Sequence, residues 1–409
     1  MKVVHLSNSD IEGGAAIAAY RIHQSLVNRN IKSRMWVNNA KSGDWTVQGP
    51  QIDTKKAIAK LRRHVIKPVL KVMHTDNNIL HSPAILPSKW SKKINNSDLD
   101  IVHLHWIGAE MASISDIGRI RKSSIWTLHD MWSFCGAEHI SWDERWMTGY
   151  TRKNRSSNEK GFDLNRWTWN RKLKHWKKPI NIVAVSQWLA ECTRSSVLMK
   201  DWPVTVIPNC LNTEIWKPVD KIFARELLGL PKDVPIIAFG TYGANSQYHK
   251  GFDLLIDALK HLRQLNKNLE LAIFGQCAPK KKPKFHYTSH FMGHFNDDLS
   301  LRLFYSAIDT LIVPSRLEAF GQTASEAMAC GTPVVAFKAT GLIDIVDHKK
   351  NGYLAKPFVS EDLAEGINYI LSASNYDELS VNARYKAVSK FSSNIVSEQY
   401  EKLYNKILT

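Results

Sequence analysis

Short apolar, β-branched runs alternate with amphipathic stretches twice over along this chain, and that rhythm restricts it to a layered α/β architecture. In the first half, "KVVHLSN", "IKSRMWVN", "DIVHLHW", "SSIWTLHD", "NIVAVS" and "VTVIPN" read as strands, with "AAIAAYRIHQSLVNR" and "QWLAECTRSS" as helices among them. In the second half, "VPIIAFG", "LELAIFG", "HFMGHF", "TLIVPS" and "TPVVAF" are strands, joined by the crossovers "KGFDLLIDALKHLRQL" and "DDLSLRLFYSAI". Strands that are apolar throughout are those of buried parallel sheets, and each parallel pair needs a crossover, usually a helix. A chain of 409 residues has room for two such domains. "PNCLNTEIWKPVD", proline-bearing and without periodicity, is the natural linker. The expected division is 1–210, 211–385, and a C-terminal helix at 386–409 that packs anywhere, the first domain included. The expected class is α/β, with two doubly wound domains facing each other across a cleft and ligands at the carboxyl ends of the strands.

Composition sets the surroundings. The five cysteines, Cys135, Cys192, Cys210, Cys277 and Cys330, are widely separated and form no C-x-x-C pair. This argues for a reducing compartment and against a structural zinc site. The opening "MKVVHLSNSDIEGG" is a strand and a turn, not a secretory leader, and no window approaches a membrane span. A cytoplasmic protein is expected. Residues 1–200 hold 32 Lys+Arg against 16 Asp+Glu, while the remainder holds 23 against 22, and all 14 tryptophans precede residue 217. The basic, Trp-rich half is therefore the one expected to meet an anionic partner.

Chemistry concentrates at the predicted strand ends. In "LIVPSRLEAFGQTASEAMACGTPVVAF", Glu318 and Glu326 stand eight positions apart across the turn at Gly321. Glu318 falls in the loop after a strand, and Glu326 one or two turns into the following helix. A carboxylate accepts two hydroxyl hydrogen bonds in a fork, which suits sugar recognition. An isolated pair at this spacing would be more often two solvated residues. Lys250 follows "GTYGANSQYH" and opens the helix "KGFDLL". Gly13 and Gly14 follow the first strand and lead a small-residue helix, without the G-x-G-x-x-G spacing of a dinucleotide fingerprint. His129 and Asp130 end "SSIWTLHD", where an unaided reading gives a satisfied strand-end histidine. His103 and His105 share one strand face with no third ligand evident, so no metal is expected.

Taken together, the E-x(7)-E with its flanks, "HKGFDLLIDAL" after a glycine-ended strand, "VIPNCLNTEIWKP", "NGYLAKP", "EGGAAIAAYRIHQSL", "TLHDMW" and "VAVSQWLAE" resemble the retaining glycosyltransferases of family 4, with the GT-B fold of two Rossmann-like domains. The likeness covers nearly the whole chain and is greatest to enzymes of bacterial surface-polysaccharide biosynthesis. It implies a retaining hexosyltransferase that takes a nucleotide sugar, UDP-sugar before GDP-sugar, and needs no cofactor or metal. It also implies that Glu326 binds the ribose hydroxyls and Glu318 the hydroxyls of the transferred sugar. His129 then approaches that sugar from the opposite domain, and Gly13 and Gly14 contact phosphate or acceptor. The backbone N–H groups of Phe320 and Gly321, at a helix N-terminus, face sugar or phosphate oxygens, and Lys250 stabilises the departing diphosphate. The family places an arginine five residues before that lysine; here the position is Asn245, leaving His249 or Arg316 as substitutes. No acidic residue can be assigned as a nucleophile, which favours a front-face departure over double displacement.

The acceptor side is individual to this chain. In "KKAIAKLRRHVIKPVLKVMH", Ile58, Leu61, Val65, Val69 and Val72 share one helical face and Lys56, Lys60, Arg63, Lys67 and Lys71 the other, interrupted at Pro68. Such a helix either packs its stripe on the domain core or lies on an anionic membrane surface, here the cytoplasmic face of the inner membrane, beside a glycan or lipid-linked acceptor. "RKNRSSNEKGFDLNRWTWNRKLKHWKK" interleaves bases with tryptophans and fits a glycan contact, a headgroup contact or a solvated insertion equally. Two rival functions stay open: a GT-B nucleotide-sugar epimerase, and a basic single-strand nucleic-acid binder. The latter would not need the near-neutral second half with its ligand-edge glutamates, and no nucleic acid is expected as partner. The lysines Lys280, Lys281, Lys282 and Lys284 read as a solvated run.

Overall fold

The computed structural model describes residues 1–50, 61–62, 64–240, 248–278 and 285–409. Asn245, Ile58, Lys56, Lys60, Arg63 and the four lysines at 280–284 lie outside the described residues. The structure divides into two compact units, Met1–Cys210 with Val396–Thr409, and Leu211–Ile395. The chain passes to the second unit inside the proline-bounded linker and returns near its end. A boundary at 386 is corrected by the structure: it falls within the helix Tyr376–Phe391, which belongs whole to the second unit. The return lies in the next helix, Ser393–Leu408, from which Tyr376–Phe391 is separated by Ser392 alone.

The sheet of the first unit has seven strands in the spatial order Val47–Gln48, Lys32–Asn39, Lys2–Ser9, Ile101–Leu104, Ser123–Leu128, Asn181–Ala184 and Val204–Val206. Every pairing in it is parallel. The order reverses between Lys2–Ser9 and Ile101–Leu104, the topological switch point of a doubly wound sheet. The second unit repeats the plan with six parallel strands: Ser289–Gly293, Glu270–Phe274, Ile236–Gly240, Thr310–Val313, Val334–Phe337 and Gly352–Ala355. Its reversal lies between Ile236–Gly240 and Thr310–Val313. Three pieces went unread in the sequence, the two-residue edge strand Val47–Gln48 among them. Gly352–Ala355 is short and hidden within "NGYLAKP", and the antiparallel pair Met73–His74 with Lys160–Gly161 spans only two residues a side.

Helices cover the faces through their apolar stripes. Leu255, Leu259 and Leu262 of Phe252–Leu265 and Leu363, Ile367 and Ile370 of Ser360–Leu371 pack on Ile237, Phe239, Leu271 and Ile273. In the first unit, Ile22 and Leu26 join Val3, Ile101, Ile125 and Val183, and Val396, Tyr400, Leu403 and Tyr404 of the last helix complete the cluster. The basic, tryptophan-rich stretch is a folded part of this unit and not a solvated insertion. It forms the helix Leu164–His175, buries Trp169 and Trp176, and sets the Lys172 ammonium against the carbonyls of Trp132, Cys135 and Gly136.

On the face carrying Val3, Ile101 and Ile125, the next alternate positions toward the strand ends are His5, His103 and Thr127, with His5 in register beside His103. All three are fully buried. His103 bonds Tyr404 Oη at 2.7 Å and Thr127 Oγ1 at 2.7 Å, and Thr127 bonds Tyr400 Oη at 3.0 Å. Burial first, then mutual repulsion, holds His5, His103 and His105 well below the ordinary imidazole range. Burial alone brings His23 down to about 4. These depressed values mean that the unfolded chain binds protons the native state refuses once the pH falls below about 6.5. Their contribution is thus intact above that value and lost toward pH 4, by roughly 3 kcal/mol for a group shifted as far as His23. Denaturant unfolding between pH 8 and 4.5 is expected to show stability declining from about pH 6.5 downward. A flat profile would contradict the neutral cluster.

Candidate active site

At the switch point of the second sheet, two adjacent strands deliver two loops to the same edge. After Ile236–Gly240 the chain reaches the 3-10 turn Tyr248–Lys250, and Gly251 then caps the helix Phe252–Leu265. Lys250 therefore stands just outside that helix, where the helix dipole opposes it less than in a first turn. Gly251 takes a left-handed φ of 65°, and a β-carbon there would lie 1.9 Å from the carbonyl oxygen of Pro314. Glycine is thus what lets the Lys250 turn seat on the end of Thr310–Val313. Hydrogen bonds from the N–H groups of Arg316 and Leu317 to the His249 carbonyl fasten the two loops.

The seating brings Lys250 Nζ to 2.7 Å from Glu318 Oε1, which also accepts from Ser315 Oγ at 2.8 Å. The Glu318 side chain is 17% exposed and the lysine 47%. Burial raises the Glu318 carboxyl, yet the charge and hydrogen bond of Lys250, with Ser315 and His249, bring it below the usual carboxylate range. It is an ionised acceptor at neutral pH, not a proton donor. Burial beside Lys250 lowers His249 to about 4, and its Nδ1 is buried without a partner.

Glu326 lies in the second turn of Gln322–Ala329, buried, with Tyr305 Oη at 3.2 Å. Gly321 caps this helix at φ 105°, where a β-carbon would crowd Leu342 Cδ2 at 2.7 Å. The Phe320 side chain is core, its ring edge-on to Phe391 at 5.4 Å, so only its backbone is available to a ligand. A helix N-terminus is in general receptive to oxygens; here the Ala324 and Ser325 N–H groups donate to the Gly321 carbonyl at 3.1 and 3.2 Å. Arg316, the expected substitute phosphate contact, is engaged within its own unit in this structure. Its guanidinium grips Asp253 at 2.7 and 2.6 Å, donates to the Tyr248 carbonyl, and stacks 4.0 Å from the Tyr248 ring. It braces the Lys250 turn.

The first unit has its own ligand edge. Gly13 caps Gly14–Asn28 at φ 89°, with nothing within 4 Å of an added β-carbon, so the helix start is open. Asp10, unremarked in the sequence, organises the turn by accepting from the N–H groups of Ile11, Lys41 and Ser42. His129 lines a small recess with Trp106, Gly108, Asp130, Ser133 and His139. Asp130 is held there by Trp106 Nε1 at 2.8 Å and His139 Nδ1 at 2.6 Å. Burial lowers His129 to about 4, so the ring is neutral. Behind it, His105 Nδ1 lies 3.1 Å from His129 Nε2, and His105 Nε2 lies 2.9 Å from His5 Nδ1. Nitrogens of His5, His103 and His105 fall within 4.8 Å of one another, the spacing of a possible metal site. Hydrogen bonds already engage all of these imidazole nitrogens except His5 Nε2, which describes a neutral network. Only the shared strand face of His103 and His105 foreshadowed it.

A family model for Glycosyltransferase Family 4 matches residues 12–215, and one for Glycosyl transferases group 1 matches residues 222–388. The lipopolysaccharide 1,2-N-acetylglucosaminetransferase of Salmonella typhimurium is 30% identical over 48% of this chain and 55% of its own length. The capsular polysaccharide biosynthesis glycosyltransferase CapM of Staphylococcus aureus is 25% identical over 56% of this chain and 62% of its own. The matched stretch thus spans less than two thirds of either relative. Among solved structures, HepE from Anabaena, crystallised with UDP and glucose, superposes with a TM-score of 0.64 at 19% identity, covering 99% of this chain and 100% of that one. The chain belongs to the glycosyltransferases, joining a family 4 domain to a group 1 domain in the GT-B fold.

Proposed function

We propose that the chain transfers a hexose, with retention, from a nucleotide sugar to a saccharide or lipid-linked saccharide in the assembly of a surface polysaccharide. UDP-sugar is the preferred donor, ahead of GDP-sugar. The observation that carries the reading is the Lys250–Glu318 pair at the switch point of the second sheet. Beside it lie the N-terminus of Gln322–Ala329 and the buried carboxylate of Glu326. The edge thus presents two acceptors for hydroxyls, one cation for a diphosphate and backbone donors. The printed names of the Salmonella and Staphylococcus relatives, and UDP with glucose in HepE, support donor class and setting.

In this mechanism Glu326 takes the ribose hydroxyls, and Glu318 takes hydroxyls of the transferred sugar with the oxygen not engaged by Ser315 and Lys250. Lys250 swings its ammonium onto the diphosphate as the glycosidic bond lengthens, when charge develops there. His129 gives the sugar a hydrogen bond. Glu318, bound to a cation and ionised, acts as a binding group and not as a nucleophile, so departure and attack take place on one face of the sugar. The leaving phosphate draws the proton from the acceptor hydroxyl.

The first unit supports an acceptor at a membrane surface. Arg62 is anchored on the carbonyls of Leu86, Pro87 and Glu110, while Leu61, Val65 and Val72 stay 58%, 52% and 48% exposed. Phe162, 47% exposed, adjoins them through its N–H to the Val72 carbonyl. Most of the predicted apolar stripe faces outward and not into the core. Val69 is the exception, packing partly on Met73, Ala137 and Leu164. Lys67 and Lys71 belong to the same segment. Among the described residues no helix is long and apolar enough to cross a membrane, so contact would be peripheral.

Thermal unfolding with UDP, GDP and ADP and their common sugar conjugates is expected to show stabilisation by the UDP series, roughly 2.7 kcal/mol at 100 times the dissociation constant. Glu326→Gln removes the shift; no shift with any nucleotide in a folded sample overturns the donor assignment. Lys250→Ala is expected to lower kcat by about 10²–10³-fold, measured as nucleotide release with acceptor present. Turnover of the donor without any acceptor would indicate the epimerase instead. Anionic vesicles are expected to sediment the protein at low salt, and Leu61→Ser with Val65→Ser to weaken this several-fold. Equal binding of that variant removes the membrane contact from the reading.

A further inference from the structure

The histidine chain behind His129 has a direction, and the direction decides what His129 can do. A neutral imidazole carries one N–H donor and one bare acceptor nitrogen. His5 Nδ1, His105 Nε2, His105 Nδ1 and His129 Nε2 form two successive hydrogen bonds at 2.9 and 3.1 Å. His105 must therefore donate to one neighbour and accept from the other, so protons are arranged head to tail. If His129 donated inward, His5 would carry its proton on Nε2. That atom is buried and has no hydrogen-bond partner. If His5 donates outward, the same atom is a bare lone pair. Buried N–H groups without acceptors are the rarer and costlier orphans. The second arrangement leaves His129 protonated on Nδ1. Among the described residues nothing bonds to this nitrogen, and the ring lines the recess at the ligand edge.

We infer that His5 and His105 act as positioning residues which lock His129 in its Nδ1–H tautomer, so that it meets a substrate oxygen as a hydrogen-bond donor. A hydroxyl or ring oxygen of a sugar fits that single donor; an ammonium or amide N–H does not. The role also explains why His5, in Lys2–Ser9, and His105, just after Ile101–Leu104, are buried where apolar residues would pack at less cost. With burial keeping both imidazoles neutral, the chain transmits orientation without adding charge near a departing anion. The identity of the substrate oxygen rests on the glycosyl-transfer reading. The tautomer does not, because it is a property of the free protein.

Selective ¹⁵N labelling of histidine with long-range ¹H–¹⁵N correlation at pH 7.5 reads the tautomer directly, and His129→Gln assigns the signal. The expected spectrum of the wild-type chain without ligand shows a pyrrole-like Nδ1 and a pyridine-like Nε2 for His129. A protonated Nε2, or a mixture of tautomers, overturns the inference. His105→Gln can still donate its amide to His129 Nε2 and is expected to keep the pattern. His105→Leu is expected to release the ring to a mixture, and retention of the pure Nδ1–H form in folded His105→Leu also overturns it. Should that variant not fold, the wild-type spectrum decides. The nucleotide-dependent thermal shift, carried by the other unit, reports separately on the donor reading, so the two can fail independently.

Discussion

Parallel strand order is the constraint on which the remaining structure depends. Because each parallel pair needs a crossover, every loop that follows a strand emerges on one edge. Where the winding reverses, no crossover helix fills the gap between the two adjacent strands. In the second unit those strands are Ile236–Gly240 and Thr310–Val313, and the loops after them carry Lys250 and Glu318. Residues 68 positions apart in sequence thus meet at 2.7 Å without any local signal for the contact. In the first unit the same reversal sets the turn of Gly13 beside the end of Ile101–Leu104, where the N–H of Asn8 bonds the Trp106 carbonyl.

What was legible in the sequence followed from period and local chemistry. Apolar β-branched runs marked most of the long strands, glycines at 13 and 321 marked helix starts, and the E-x(7)-E placed one carboxylate in a loop and one in a helix. What was not legible depended on partners distant in the chain. Arg316 looks like a phosphate ligand until Asp253, 63 positions away, is seen to hold it in a fork. Ser315, which steadies Glu318, is an ordinary strand-end serine in the sequence. The strand Gly352–Ala355 escaped because its glycine and the proline beyond it read as a loop, although sheet neighbours supply the pairing that propensity does not. The boundary near 386 failed because a one-residue break between two amphipathic helices leaves no compositional trace.

The histidines show how a fold converts a liability into a fixed geometry. A buried imidazole away from any acid stays neutral, and its N–H needs an acceptor. Here Tyr404 and Thr127 satisfy His103, Ser33 and Thr46 satisfy His23, and His105 satisfies its two neighbours. Four of those partners are hydroxyls, which donate or accept as needed and impose no direction. His105 has imidazoles on both sides, and imidazoles do impose one. Among the described residues, the chain through His105 is the part of the network in which imidazoles on both sides impose a direction that runs to the ligand edge.

Charge is distributed to suit binding and release at different places. The first half of the sequence carries twice as many bases as acids, while the second is near balance. A nucleotide site made strongly positive would hold the donor well and its diphosphate product better still, since the product bears more charge. In the proposed reading Lys250 would avoid that outcome by being paired with Glu318 beforehand. Its attraction for a phosphate is then the difference between two partners and not the full Coulomb term, which shrinks further in a half-exposed setting. On the proposed mechanism, the difference would grow as the glycosidic bond breaks and negative charge moves onto the phosphate, so the lysine would favour the transition state more than the bound donor. Once the sugar had gone, Glu318 would lose its hydroxyl partners and compete for Lys250 again, which would loosen the diphosphate. One carboxylate would thereby serve the sugar in the ground state and limit the hold of the cation on the product.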